Sequence, residues 1–278
     1  MGQGQIPPRG VGRGWGCIVT EVERRAALDA IGAEVSVCTR CRLHETRTKS
    51  VPGEGTSDSE VIFVGEGPGY NEDQQGRPFV GRAGSLLGKL LDSIGWSRDV
   101  VFITNVVKCR PPDNRDPEPD EIAACAPFLT RQIAALDPAL IVTLGRVSMG
   151  RFNPGAKIGQ VHGTFRPAHA EAEAANALAF FMYHPAAALR DPAVEATSFR
   201  DMQGIPPALL AARKMRAGVV EGAASPATQP ADRPVPQVAI SVVPAPADAD
   251  MLAGELSHGG ENVHTDAQSG PTDQPPLF

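Results

Sequence analysis

Two groups of residues in this chain have types and spacings that could do chemistry. The first is four cysteines, Cys38-x2-Cys41 and then Cys109-x15-Cys125, with Cys17 outside the pattern as a bystander. A C-x2-C turn lets two thiolates reach one metal centre, and a second pair folding back would complete a tetrahedral set. Four thiolates suit zinc or a [4Fe–4S] cluster; the loose second spacing fits a zinc ribbon poorly, but spacing alone leaves the choice open. The second group lies in VIFVGEGPGYNEDQQGRPFVGRAG, residues 61–84. Glycines at 65, 67 and 69 let backbone approach a ligand closely, and Glu66, Asn71, Glu72, Asp73, Arg77 and Phe79 crowd the same loop. A phosphate cradle has no use for two acids and a phenyl ring, whereas a pocket for a flat, polar ring does. Neither a G-x-G-x-x-G at a helix start nor G-x-x-x-x-G-K-[ST] occurs.

Such residues need elements to hold them. Val61–Val64 reads as a short buried strand, and 82–94 as a helix with Leu86, Leu87, Leu90, Leu91 and Ile94 on one face. Further strands are expected at 100–107, 139–144 and 178–183, and further helices at 21–33, from about Asp120 to Leu136, and at 195–214. Strands alternating with helices argue for an α/β fold whose parallel sheet is covered on both faces. Ligands in such sheets bind beyond the carboxyl ends of the strands. The GEGPG loop, Asn105 and His184 all fall at strand ends, so three polar elements converge on one edge.

Composition sets the frame. The chain has 278 residues and a formal charge of −6, but residues 217–278 hold eight acids and one base, leaving 25 bases and 24 acids elsewhere. A nearly neutral body is therefore masked by an acidic tail, and the acidic total does not exclude a nucleic-acid partner. Residues 1–16 and 217–278 are rich in Gly, Pro and Ala and are expected to be disordered, leaving one domain over 17–216. No run approaches a membrane span and no apolar signal core is present, so a cytoplasmic monomer with reduced thiols is expected.

At these residues the chain resembles the iron–sulfur uracil-DNA glycosylases of family 4. The likeness runs over about residues 36–205, through CTRCRLHETRTKSVPGEG, GEGPGYNEDQQGRPFVGRAG, ITNVVKCRPPDNRDPEPDE, the second cysteine pair and YHPAAAL. It implies a three-layer α/β/α sandwich around a central four-stranded parallel sheet, and excision of uracil from DNA in base excision repair. It also implies a [4Fe–4S] cluster on Cys38, Cys41, Cys109 and Cys125; family likeness, not spacing, selects iron here. Glu66 and Gly67 fall in the family's catalytic loop with Gly65, Pro68 and Gly69. Phe79 corresponds to the stacking ring, Asn105 to the base-reading amide and His184 to the second-motif histidine.

The chemistry of those residues agrees with the likeness. Uracil flipped from a duplex could stack on Phe79. An amide such as Asn105 can pair with uracil N3–H and O4 together, a pattern that cytosine reverses. Glu72 is the expected obstacle to the thymine methyl. His184 near O2 would steady the departing anion. Many uracil glycosylases position the attacking water with an Asp where this chain has Gly67, which leaves Glu66, Glu72 and backbone as candidates. No lysine in these motifs suggests a lyase step, so a monofunctional enzyme is expected. Leu189 could wedge into the vacated stack. The competing reading is a non-enzymatic iron–sulfur DNA-binding or polymerase-accessory module on the same fold. Finally, Gln274-Pro275-Pro276-Leu277-Phe278 resembles the Q-x-x-L-F peptide with which bacterial repair proteins dock on the sliding clamp.

Overall fold

The computed structural model describes residues 20–169, 174 and 176–218. Cys17, the segment 1–16 and the peptide 274–278 lie outside the described residues.

Six strands form one sheet: β1 (Glu54–Gly55), β2 (Val61–Gly65), β3 (Phe102–Asn105), β4 (Leu140–Leu144), β5 (Phe165–Pro167) and β6 (Leu178–Met182), in the order β1-β3-β2-β4-β6-β5. The expected four-stranded parallel sheet is its centre, β3-β2-β4-β6. Two short antiparallel edge strands, β1 on β3 and β5 on β6, make the whole sheet mixed. Edge strands of two and three residues carry no readable period; pairing with a neighbour defines them.

The helices are α1 (Glu21–Ser36), α2 (Tyr70–Gln75), α3 (Arg82–Ser93), α4 (Pro119–Leu136), α5 (Arg146–Phe152), α6 (Ile158–Val161), α7 (Pro185–Ala188), α8 (Pro192–Met202) and α9 (Ile205–Arg216). Thr20 starts α1 through a capping box with Glu23, and Pro119 opens α4 where its missing N–H costs nothing. The single helix expected at 195–214 is two, α8 and α9, broken at Gln203–Gly204. A Cβ at Gly204 would lie 3.0 Å from the Phe180 ring, so the break lets the chain pass close over the sheet.

Strand alternation divides the core into two layers. Ile62, Val64, Phe102, Ile141 and Phe181 pack with Leu28 and Ile31 of α1, Phe128 and Leu129 of α4, and Met149 of α5. Val61, Phe63, Ile103, Val142 and Phe180 pack with Leu86, Leu87, Leu90 and Leu91 of α3, and with Met202 and Leu209 of α8 and α9. Helices thus cover both faces, as a parallel sheet requires. Each fully buried leucine of α3 contributes roughly 1.5–3 kcal/mol, enough to fix the helix whose N-terminus abuts the Gly-rich loop.

Candidate active site

The carboxyl ends of β2, β3 and β6 open on a cavity of about 470 Å³. Glu66, Gly67, Pro68, Gly69, Glu72, Phe79, Asn105 and His184, read from sequence as one site, all line it. Gly65 is not among the lining residues but stands against two of them: a Cβ there would lie 2.3 Å from Asn105 Oδ1 and 2.6 Å from Phe79 Cζ. Only glycine lets the amide and the ring approach each other across the end of β2.

Asn105 is the most unusual group in the cavity. It is 1% exposed, yet neither Nδ2 nor Oδ1 has a hydrogen-bond partner. A buried amide left in that state costs on the order of 1–3 kcal/mol. Such a group is tolerated where a ligand supplies the missing partners. Phe79 is strained as well, at φ 53° in the left-handed region that L-residues avoid. Arg98 holds it there: its Nη1 donates to Phe79 O at 2.9 Å and its Nη2 to Pro78 O at 2.7 Å, with Glu54 bound to the same guanidinium at 2.6 Å. Gly84 completes the hold, since a Cβ there would lie 1.8 Å from Phe79 O.

His184 caps α7, and its ring centroid lies 5.9 Å from that of Phe79. Its Nδ1 accepts the Ala186 N–H at 3.1 Å, which leaves the proton of the neutral imidazole on Nε2. Burial, with Arg190 nearby, pulls its pKa down to about 4, so the ring is neutral at physiological pH.

The acids separate. Glu72 Oε1 accepts the Val80 and Gly81 N–H groups, each at 2.8 Å, and so anchors the entry to α3. Its Oε2 lies where a side chain at Gly69 would go, within 2.9 Å. Glu66 has no such anchor. Burial, and then the adjacent Asp116 carboxylate hydrogen-bonded to it, push its pKa up to about 7, while Arg146 opposes the rise. Arg146 is itself paired with Asp116. At Gly67 a Cβ would press to 2.9 Å from Val107 Cγ2, so an acidic side chain there would need Val107 to move.

Sequence reasoning missed Asp116, Arg115, Asn114 and Pro111, which reach the cavity from the Pro-rich loop, and Arg190 beyond α7. The density of charge in RPPDNRDP was the available signal. Leu189 is 37% exposed at the end of α7, beside the cavity-lining Arg190.

A second pocket, formed by the end of α1, the segment after β3 and α4, is lined by Cys38, Cys41, Cys109 and Cys125 together. All four are free thiols; Cys109 and Cys125 are buried and the other two half-buried. Burial pushes the thiols of Cys41 and Cys109 up, and that of Cys125 to about 11. Arg47 Nη1 donates to Cys109 Sγ at 3.2 Å and the Lys108 N–H to Cys125 Sγ at 3.3 Å, bonds that favour sulfur carrying negative charge. Among the described residues no three His, Cys, Asp or Glu groups converge tightly enough for a single metal ion. No helix among them is long and apolar enough to cross a membrane.

A parallel sheet ending in a cavity with a strained phenyl ring, an unpartnered amide and a neutral imidazole defines a site for a flat, hydrogen-bonding ring. Residues 52–203 match the model of the Uracil DNA glycosylase superfamily. The chain is 48% identical over 188 residues to the type-4 uracil-DNA glycosylase of Saccharolobus solfataricus, covering 66% of this chain and 86% of that one. It is 49% identical over 172 residues to the type-4 enzyme of Sulfurisphaera tokodaii, 60% of this chain and 77% of that one. A third such enzyme, from Archaeoglobus fulgidus, is 53% identical over 120 residues, 43% of this chain and 60% of that one. The chain belongs to the uracil-DNA glycosylase superfamily and, within it, to the type-4 enzymes.

Proposed function

We infer that this chain is a monofunctional uracil-DNA glycosylase, which takes uracil out of the DNA stack and hydrolyses its N-glycosidic bond in base excision repair. The observation that carries the reading is the buried, unpartnered Asn105 amide lining a cavity beside Phe79 and His184. Uracil would complete both of its polar atoms through N3–H and O4; cytosine would set donor against donor and acceptor against acceptor. Phe79 supplies the stacking face, and Gly65, Pro68 and Gly69 the close backbone wall. His184, donating from Nε2 without a charge of its own, would stabilise the anion left on O2.

We assign the attacking water to Glu66 and not to Glu72, because Glu72 already spends one oxygen on two backbone N–H groups. Glu72 instead fits the barrier to a C5 methyl, with Oε2 over Gly69. Gly67 has no side chain to offer, and its role is to leave room. Leu189, partly exposed beyond α7, fits a wedge for the vacated stack.

Cys38, Cys41, Cys109 and Cys125 would hold a [4Fe–4S] cluster. The donor set fits it: four thiols line one pocket, and two of them already receive N–H bonds, as thiolates bound to a cluster do. Bound there, it would tie the end of α1, the segment after β3 and the interior of α4 into one unit. Iron analysis of purified protein tests this; zinc in its place would reject the cluster. Gln274, Leu277 and Phe278 would dock on a sliding clamp. Deleting 274–278 should abolish clamp capture and leave excision from a short oligonucleotide intact, and retained capture would refute the docking.

The test of the main reading is a single-uracil oligonucleotide treated with enzyme and then alkali. Breaks that require the alkali identify a monofunctional glycosylase. Their absence with iron-loaded protein would return the chain to the class of DNA-binding modules.

A further inference from the structure

Lys108 is a buried lysine whose side chain the chemistry above does not use. It is 1% exposed, and its Nζ donates three hydrogen bonds: to Thr104 Oγ1 at 2.6 Å, Gln132 Oε1 at 2.6 Å and the backbone carbonyl of Asn105 at 2.8 Å. The network closes on itself, because Thr104 Oγ1 and Gln132 Nε2 both donate to Pro52 O, at 2.8 and 2.7 Å. The same residue's N–H donates to Cys125 Sγ, and its carbonyl accepts the Val51 N–H at 2.8 Å. Lys108 thus stands between the cysteine pocket and the end of β3.

Asn105 needs such support. With both amide atoms unpartnered, no side-chain hydrogen bond fixes its aim. Its direction is set by packing around Gly65 and by its own backbone, where Lys108 holds the carbonyl. A fully satisfied buried network is stiff and specifies one geometry. A ligand-reading group held within a few tenths of an ångström of its productive place depends on such support.

We propose that Lys108 is a positioning residue for uracil recognition, holding Asn105 in its reading geometry through the buried Lys108–Thr104–Gln132–Pro52 network. This rests on the assignment of Asn105 as the base reader. Lys108 does not line the cavity, so its effect on the base runs through Asn105.

A double-mutant cycle separates positioning from general support. Lys108→Met keeps an unbranched stem and removes the three donors. On a single-uracil duplex, kcat/KM should fall about tenfold or more in the otherwise unaltered protein, but by no more than about twofold in the Asn105→Ala background. Equal factors in the two backgrounds would overturn the proposal. Iron content and the visible absorption of each variant are measured alongside. A loss of iron that accounts for the whole loss of activity would also overturn it, assigning Lys108 to the cysteine pocket instead. If Lys108→Met does not fold, Gln132→Met leaves the lysine but removes one anchor, and the same collapse of its effect in the Asn105→Ala background is expected. Asn105→Ala excising uracil at the unaltered rate is a distinct outcome: it removes the base-reading assignment, and the proposal with it.

Discussion

Asn105 and Lys108 lie three positions apart, both 1% exposed and both polar, yet their surroundings are opposite. Lys108 has a partner for each of its three donors, whereas Asn105 has none for either amide atom. Burial by itself therefore says little about what a polar residue does. A satisfied group belongs to the framework; an unsatisfied one beside a cavity is waiting for a ligand. The two acids differ in their partners instead: Glu72 is bound to backbone N–H groups, and Glu66 to a second carboxyl group, that of Asp116.

Filling the space in front of Asn105 should do the greatest damage. Gly65→Ala would put a carbon against both the amide and the Phe79 ring, and excision should fall more than about a thousandfold, as when a site loses its chief hydrogen-bond discrimination. A measured loss below tenfold would mean that the base does not sit there. His184→Ala removes one donor to a developing anion and should cost about 10²–10³ in the rate of bond cleavage, read by single-turnover kinetics; a change confined to KM would contradict the role.

The acid pair predicts a smaller, pH-dependent effect. Glu66 is neutral below its pKa of about 7 and anionic above it. An anion beside the sugar favours the developing cation, so the rate should rise as pH increases through neutrality. His184, its pKa near 4, stays neutral over that range and adds no limb. Asp116→Asn removes the neighbouring anion, so Glu66 should ionise at lower pH and the rising limb should move down with it. An unmoved limb would separate Asp116 from Glu66. The charged neighbours that act on Glu66 are Asp116 and Arg146, while Arg115, Glu72, Arg190 and His184 line the same cavity.

Much of this was legible in the sequence, for identifiable reasons. The β-branched runs of β2 and β4, the leucine face of α3 and the C-x2-C turn are local patterns, and each marks its element without help from the rest of the chain. The meeting of Asn105, Phe79 and His184 was legible because all three stand near the carboxyl edge of one sheet. The edge strands β1 and β5 and the short helix α2 were not, since two to six residues hold no period and their pairing is distant in sequence. Nor were the Glu66–Asp116 pair, the Arg98 hold on Phe79 or the Lys108 network. Each joins residues whose proximity is created only by the fold, and none of the partners is unusual in its own segment.

The measurement that tests the central claim most directly sets excision beside stability in one variant, Asn105→Ala. If Asn105 is an unsatisfied reader, excision of uracil from a single-uracil oligonucleotide should fall by about two orders of magnitude or more, as losing a base-reading hydrogen-bond pair requires. The melting temperature should hold or rise, because a buried amide without partners has been removed. A melting temperature that drops while uracil is still excised at close to the unaltered rate would make Asn105 part of the framework and contradict the account.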